Sequence, residues 1–398
     1  MKKKVVIFAT YSLWDPPIQN SAIFFSKKSW DVIIIQSKSE IPVFFKSKDF
    51  KVIFVNDFIR LKKLAFLKAI FSWLFYWYKV KQILAIEKPD LIIAEMHRPL
   101  SVIPESLLMK TICFIPDIPS IKFSGKLDRQ IIKYGWNKIT KCCLIWTSDQ
   151  HKAALTKQFA RLDYLPMVCY NCPSKDYLLN FNKKSAREWL FPKLQDQGVL
   201  VTKDSLILLR AGAIGEYGGI EETILAMKEL PKELIFVLMG RPENSYHSSL
   251  MDFIKKNKMT QRVCLFNRPD DIDWKQILKA SDIGHLIHIR PDNNIKIASN
   301  YDLNSSLSNN RLFQYMAAGI PIISYNDPRM NAIHNEVNCF CIADIANFRK
   351  DLVHICSELM DNTNKRNSMG INAYEAFCDK FNWDKQFYQI SKTIGIDK

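Results

Sequence analysis

Residue types that suit anion binding are concentrated in the stretch 305–325, which reads SSLSNNRLFQYMAAGIPIISY. The stretch opens with serine and asparagine residues, including Ser306, Asn309 and Asn310, and continues from Arg311 as a predicted helix. An asparagine at a helix start can cap free backbone N–H groups, and the positive end of the helix dipole attracts anions. Arg311 adds a fixed positive charge at the same end. The pattern predicts a diphosphate site, although an ordinary capped helix leading into a core strand would also explain it.

A glycine-rich loop and two further arginines strengthen this expectation. The predicted strand Leu206–Arg210 is followed by AGAIGEYGG, whose glycines let backbone N–H groups approach an anion closely. Arg241 and Arg290 lie at the ends of predicted strands, where ligands bind in open α/β sheets. No carboxylate cluster suggests a metal, so we expect no metal or other cofactor, with arginines and the helix dipole neutralising the diphosphate. The candidate phosphate contacts in the loop are Gly212, Gly215, Gly218 and Gly219.

Buried strands that alternate with helices along the whole chain must position these residues. This alternation predicts an α/β fold of doubly wound parallel sheets, and 398 residues are more than one core usually organises. Prolines and turn residues place a boundary near residue 172, which gives a domain 1–172 and a domain 173–380. Residues 381–398 should form a C-terminal helix that packs back on the first domain. Gly319 should end the helix of the 305–325 stretch in the left-handed conformation.

Two titratable residues of the N-terminal half follow predicted strands. His97 comes shortly after Leu91–Ala94, and Asp117 comes shortly after Thr111–Ile115. Because ligands bind outside the carboxyl ends of parallel strands, these residues are candidates for proton transfer or acceptor binding. A turn-capping aspartate and a hydrogen-bonded histidine are equally good explanations.

Positive charge is concentrated in the N-terminal part of the chain. Residues 1–170 contain 27 Lys and Arg against 13 Asp and Glu, out of 56 and 40 in the whole chain. A predicted helix begins at Asp57 and runs to Glu87. Its residues 58–81 contain no acidic residue and interleave lysines with aromatic side chains. Such a helix is typical of an interfacial anchor on anionic lipid, whereas a core helix with a solvated lysine face is an equal alternative. Nucleic acid would also suit the charge, but no recognition module accompanies it, so we expect no nucleic-acid partner.

No apolar run is long enough to span a bilayer, and the apolar run after the N-terminal lysines is short for a signal peptide. We therefore expect a cytoplasmic protein. The 10 cysteines have scattered spacings that favour reduced, buried thiols over metal ligands.

Several motifs resemble those of glycosyltransferases of the two-domain B fold (GT-B), in particular the family-4-type enzymes of group 1. The stretch Asn310–Ile323 resembles their N-K-L-F-E-Y-M-A-A-G-x-P-V-I signature. Gly212–Glu221 resembles the G-A-L…R-G-I-E loop of polysaccharide-assembling members. Leu278–Gly284 is similar to their L…A-D-I-G step, and Phe381–Asp384 to their closing F-x-W. The resemblance implies two Rossmann-like doubly wound domains that face a cleft.

The resemblance also implies roles for individual residues. Gln314 would contact the ribose of a nucleotide sugar, Arg311 and the 212–219 backbone its phosphates, and Arg241 an outer phosphate. The enzymes of this family retain the anomeric configuration and need no metal. Three departures indicate an unusual donor or an impaired site. Gln314 replaces a glutamate, Gly218 stands where the loop usually has Arg or Lys, and the acidic residue expected near Ser306 is missing.

The sequence thus predicts a metal-independent glycosyltransferase, peripheral on the inner face of the membrane. It would transfer a sugar from a nucleotide-diphosphate sugar, with UDP favoured, to a lipid-linked or surface-polysaccharide acceptor, as in lipopolysaccharide biosynthesis. A nucleotide-sugar epimerase of the same fold is one alternative. A catalytically impaired nucleotide-binding or scaffold protein is the other.

Overall fold

The computed structural model describes residues 2–9, 16–36, 50–55, 65–118, 126–216, 218–242, 244–287, 310–327 and 330–396. They form two compact units. The first unit runs to Cys172 and takes in the residues from Trp383 onward. The second begins at Pro173 and includes the described residues up to Asn382.

Strands and helices alternate along both units, as the hydrophobic pattern predicts. The strands are β1 Lys4–Ala9, β2 Asp31–Gln36, β3 Lys51–Phe54, β4 Leu91–Glu95, β5 Thr111–Ile115, β6 Leu144–Thr147, β7 Met167–Val168, β8 Leu206–Ala211, β9 Leu234–Gly240, β10 Val263–Asn267, β11 Ile283–His285, β12 Ile322–Tyr325 and β13 Phe340–Ala343. The helices are α1 Pro16–Lys27, α2 Ala65–Glu87, α3 His97–Val102, α4 Lys126–Ile139, α5 Gln150–Ala160, α6 Lys183–Asp196, α7 Ile220–Ala226, α8 Asn244–Lys256, α9 Asp271–Ala280, α10 Asn310–Ala318, α11 Asn331–Glu336, α12 Phe348–Asp361, α13 Thr363–Asp379 and α14 Trp383–Thr393.

Each unit is built on one parallel sheet with a reversal of strand order. The described strands lie in the order β3-β2-β1-β4-β5-β6-β7 in the first unit and β10-β9-β8-β11-β12-β13 in the second. Both sheets start from a central strand, run outward to one edge, and then cross over to the other side. This is the doubly wound topology, so the predicted pair of Rossmann-like units is confirmed. Ligands bind at the carboxyl ends of such strands near the crossover, which in the second unit lies at β8 and β11.

The sheet of the first unit is covered on both faces. On one face, α1 and the C-terminal helix α14 pack over alternate strand residues, with Phe25 and Phe387 among the buried side chains. On the other face, α2 to α5 pack over the intervening strand residues, as Tyr76 of α2 and Leu100 of α3 illustrate. Since strands buried on both faces are apolar throughout, these strands read as continuous hydrophobic runs in the sequence.

The structure differs from the predicted elements in a few places. Helix α3 and the two-residue strand β7 were not predicted, because both are too short for a hydrophobic period to show. Phe381 and Asn382, which we grouped with the C-terminal helix, belong to the second unit. The Phe381 ring stacks on Phe313, and Asn382 Nδ2 donates to the carbonyl of Phe377. The predicted helix that begins at Asp57 corresponds to α2, and its predicted start lies outside the described residues.

No helix in the described part of the chain has the length and hydropathy needed to cross a membrane.

Candidate functional site

Helix α10 is the centre of the candidate site. Every residue from Arg311 to Ala318 is buried, and Gly319 ends the helix with φ 71°, which confirms its predicted left-handed conformation. The helix packs on α13 so closely that a Cβ atom at Gly370 would lie 2.3 Å from the Gly319 carbonyl oxygen. The helix is therefore held rigidly in the second unit. Its first residue, Asn310, has a buried Oδ1 atom that finds no hydrogen-bond partner among the described residues.

Tyr315 fixes the helix to the carboxyl ends of the central strands. Its hydroxyl donates to the Leu209 carbonyl at 2.8 Å and accepts from the Ala211 N–H at 2.9 Å. Its ring lies against β11, where a Cβ atom at Gly284 would approach the ring to 2.5 Å. The hydroxyl thus bonds main-chain groups at the end of β8. The sequence analysis assigned no role to Tyr315, because its partners are about a hundred residues away along the chain.

Arg311 and the glycine-rich loop lie together, as the diphosphate site requires. Nη2 of Arg311 is 3.3 Å from the position that a Cβ atom would take at Gly212, where φ is 101°. The guanidinium therefore covers the backbone at the first residue of the loop, where a side chain would press on it and the positive φ favours glycine. Arg311 is 4% exposed, so its charge acts in a low-dielectric setting where electrostatic interactions are strong.

The loop after β8 is held by the loop after β9. The Gly212 N–H donates to the Met239 carbonyl at 2.8 Å, and the Ile214 N–H donates to the Arg241 carbonyl at 3.1 Å. Gly240 comes so close to Gly212 that a Cβ atom there would overlap the Gly212 carbonyl oxygen. Arg241 thus contributes its backbone to the loop, while its side chain is exposed. Gly215 also belongs to this loop, since its carbonyl accepts from the Gly218 N–H at 2.9 Å.

Gln314 has partners at both ends of its amide. Its Oε1 accepts from the Trp274 indole at 3.2 Å, and its Nε2 donates to the Tyr177 hydroxyl at 3.1 Å. Burial, and then the charge of Asp271, hold the pKa of Tyr177 well above its ordinary value, so this hydroxyl keeps its proton. The amide carbonyl has a second lone pair with which to accept from a ligand hydroxyl. Sequence reasoning missed Trp274 and Tyr177, because nothing in their local sequence marks them as partners of Gln314.

A buried polar chain that the sequence analysis did not identify lies beneath the loop. Nη1 of Arg210 lies 3.4 Å from His285 Nδ1, and His285 Nε2 lies 2.9 Å from the Thr223 hydroxyl. Thr223 in turn donates to the Gly219 carbonyl at 2.6 Å. Burial, followed by the charges of Arg210 and Arg311, holds the pKa of His285 well below its ordinary value. The imidazole is therefore neutral at neutral pH and can donate at one nitrogen and accept at the other.

In the first unit, the two titratable candidates follow adjacent strands of the sheet. His97 is the first residue of α3, and its carbonyl packs against Gly135 of α4, where a Cβ atom would lie 2.3 Å away. The Asp117 carboxylate is exposed and accepts from Lys152 Nζ at 2.8 Å, while Lys152 itself is buried. Asp117 thus has a structural role as the partner of a buried ammonium group. Nothing in the sequence around Lys152 indicates this ion pair. The roles of His97 and Asp117 in proton transfer or acceptor binding stay predictions.

Three predicted contacts lie outside the described residues: Arg290, Ser306 and Asn309. Their assignments stay predictions. The structure brings together Gly212, Gly215, Gly218, Gly219, the Arg241 backbone and Arg311 around the ends of β8, β9 and β11. Gln314 lies about one turn further along α10, between Trp274 and Tyr177.

Comparison with known proteins gives three findings. Residues 229–392 match the glycosyl transferase-like family. No match was found among curated protein sequences. Many solved structures match, and the three described below share the fold over nearly the whole chain.

Three of these structures illustrate the likeness. Sucrose-phosphate synthase from Thermosynechococcus elongatus is 12% identical over 99% of both chains, with a TM-score of 0.70. HepE of Anabaena, in complex with UDP and glucose, is 16% identical over 99% of this chain and 100% of its own, with a TM-score of 0.68. WaaG, a glycosyltransferase involved in lipopolysaccharide biosynthesis, is 12% identical over 98% of this chain and 100% of its own, with a TM-score of 0.63. The chain as a whole therefore has the two-domain GT-B fold of these structures, and its residues 229–392 resemble the glycosyl transferase-like family.

Proposed function

We propose that the protein transfers a sugar from UDP-sugar to a lipid-linked or surface-polysaccharide acceptor, with retention of configuration, as a family-4-type enzyme. One observation carries the donor assignment: the buried Arg311 guanidinium lies over Gly212 at the end of β8. A guanidinium makes two parallel hydrogen bonds to a phosphate, and loop N–H groups can bind further oxygens. HepE, which has the same fold, was crystallised in complex with UDP and glucose, and this supports UDP as the nucleotide.

In this proposal, the protein's own fixed charges stabilise the departing nucleoside diphosphate. As the bond between the sugar and the diphosphate breaks, negative charge develops on the departing phosphate. Arg311 and the start of α10 lie ready to stabilise that charge, which is the role that a metal fills in other enzymes. The reaction would then need no metal. His97 of the first unit would contact the acceptor or take its proton, with Asp117 as the alternative base.

A panel of UDP-, GDP- and TDP-sugars tests this function directly. We expect the purified protein to hydrolyse or transfer sugar from a UDP-sugar, and UDP to raise its melting temperature. Activity in the presence of EDTA would support metal independence, and NMR of the product would show the anomeric configuration. Release of an epimerised sugar without transfer would favour the epimerase. Nucleotide binding without turnover would favour the impaired binding protein, and no thermal shift with any nucleotide diphosphate would contradict the donor site.

Replacing Gln314 with glutamate tests the ribose assignment. The carboxylate can accept from the Trp274 indole with one oxygen and from the Tyr177 hydroxyl with the other, so the fold should hold. We expect UDP affinity to stay the same or to rise by up to about tenfold, because a charged acceptor binds a hydroxyl more strongly. Gln314→Leu should instead weaken UDP binding, and calorimetric titration compares the two. A collapse of binding in a folded Gln314→Glu variant would show that the ribose assignment is wrong.

We further propose that α2 binds the first unit to the inner membrane face. Its inward face buries Tyr76, Val80 and Leu84, yet Phe71 and Tyr78 on the outward face are 50% and 53% exposed. These exposed aromatic side chains support the interfacial alternative over a core helix that presents only lysines to solvent. Lys81 accompanies this surface, since it is exposed and its Nζ lies 5.1 Å from the centroid of the exposed Trp77 ring. The apolar part would enter the headgroup region while the cations contact anionic lipid.

Vesicle co-sedimentation tests this surface. The double variant Leu74→Gln/Tyr78→Gln removes two exposed apolar groups without touching the core. We expect binding to phosphatidylglycerol vesicles to fall about tenfold or more, because each group loses about 1 kcal/mol of partial burial. Ile371→Gln/Tyr374→Gln makes the same change at two exposed residues of α13 in the second unit and should leave vesicle binding unchanged. Equal vesicle binding by both double variants would refute the α2 surface.

A further inference from the structure

Arg210 is an unusual residue for the centre of a hydrophobic sheet. It lies on β8 with no exposed surface, among strand residues that are otherwise apolar. Its Nη1 donates to the Gly218 carbonyl at 3.0 Å and to the Ile287 carbonyl at 2.8 Å. Burying a guanidinium is costly unless its hydrogen bonds are well made. Its position therefore calls for a role that an apolar residue could not fill.

The guanidinium occupies the space where a side chain at position 218 would begin. A Cβ atom at Gly218 would lie 2.8 Å from both Cζ and Nη2 of Arg210. Position 218 is the one at which the resembling loops carry Arg or Lys. A side chain at position 218 and the Arg210 guanidinium in its present place thus exclude one another. This chain has glycine at position 218 and the Arg210 guanidinium beneath the loop.

Two consecutive loop carbonyls are held from the interior. Arg210 binds the carbonyl of Gly218, and the Thr223 hydroxyl binds the carbonyl of Gly219. Since Thr223 donates to Gly219, it accepts from His285 Nε2, which leaves His285 Nδ1 unprotonated and 3.4 Å from Arg210 Nη1. This contact is long because the two Nη1 protons are directed at the Gly218 and Ile287 carbonyls. A continuous series of polar contacts therefore links the guanidinium to both loop carbonyls. Carbonyl oxygens satisfied in this way do not present their negative ends to an anion bound on the loop.

We propose that Arg210 is the positioning residue of the diphosphate site, supplying from beneath the loop the charge that related loops carry at position 218. It acts through the backbone of the 212–219 loop and does not itself touch the ligand. This inference rests on the proposed function, because the anion is the diphosphate of the nucleotide sugar. It explains why a loop with glycine at 218 can serve an enzyme of this class.

A charge-relocation experiment tests the proposal, with UDP as the probe and the full chain in each variant. Arg210→Met should weaken UDP binding about tenfold or more, the value of one charged hydrogen bond. Gly218→Lys alone should also weaken binding, because its side chain collides with Arg210. The combination Arg210→Ala/Gly218→Lys removes the collision and returns the cation to the loop, so affinity should recover at least about tenfold over Arg210→Ala. In this double variant, UDP affinity should again fall with rising salt concentration as it does in the wild type.

Arg262→Met is the matched structural control. Arg262 also donates to main-chain carbonyls, including those of Met227 and Leu234. It precedes β10, and Leu234 begins β9, so these bonds lie at the opposite end of the strands from the loop. Its loss should lower the melting temperature and leave UDP affinity unchanged. If Arg210→Met does not fold, Gly218→Ala displaces the guanidinium without removing it and should weaken UDP binding to a similar degree. The same change in an Arg210→Ala background should then have no effect.

Two outcomes would overturn the proposal while the wild-type protein binds UDP. One is wild-type affinity in folded Arg210→Met or Gly218→Ala. The other is an Arg210→Ala/Gly218→Lys variant that binds no more tightly than Arg210→Ala. A wild-type protein that binds no nucleotide diphosphate would instead overturn the proposed function, and this inference with it.

Discussion

Arg311→Met is expected to lower UDP affinity about a hundredfold or more and to abolish measurable transfer. The side chain is 4% exposed and lies over Gly212, so its contacts with a phosphate would form away from water. Two charge-assisted hydrogen bonds in such a setting contribute about 3 kcal/mol or more, which is about a hundredfold in affinity. Methionine has a similar length and tolerates irregular packing, so the buried helix should stay in place.

Titration calorimetry with UDP and thermal unfolding together give the result. Arg311→Lys keeps the charge but not the paired donors, so it should retain part of the affinity. Arg262→Met controls for the loss of a partly buried guanidinium elsewhere in the same unit. A folded Arg311→Met variant that binds UDP as the wild type does would remove the central residue of the proposed donor site.

Gly240→Ala is expected to destabilise the second unit by about 3 kcal/mol or more. The new Cβ atom would lie 1.8 Å from the Gly212 carbonyl oxygen, and Gly240 has φ 147°, which side chains other than hydrogen rarely allow. Main chain cannot move aside as a flexible side chain can. The collision would therefore push the loop at Gly212 away from Arg311, and UDP affinity should fall together with stability.

Gly198→Ala separates the two causes of this effect. Gly198 has φ 80°, but a Cβ atom there would meet nothing within 4 Å. It carries only the backbone strain, about 1 to 2 kcal/mol, and it lies before β8, whereas the loop follows that strand. Urea denaturation should show the larger loss for Gly240→Ala, and only Gly240→Ala should weaken UDP binding. Equal effects in both variants would mean that the contact between Gly240 and Gly212 is unimportant.

Much of the fold and part of the site could be predicted before the structure. Helix α10 and its glycine stop follow from neighbouring residues, and so does the strand after it, because capping and hydrophobic period act over short windows. The glycine-rich loop and Arg311 were recognised from residue type, and the structure places them in contact. Asp117 shows the limit of that approach. Its position after a strand is a sound signal, but its ion pair with Lys152 depends on a residue with no motif around it.

The sequence by itself determined that this protein has two doubly wound units and a signature helix with a cation at its start, since these are properties of consecutive residues. Only the tertiary structure decided which residues surround that helix. Tyr177, Trp274 and Gln314 are distant along the chain and meet because the strand order brings their elements together. Arg210 reads as an anomaly inside an apolar strand until the guanidinium is seen beneath Gly218. Partners of this kind are set by the order of strands in a sheet, which no local pattern of residues records.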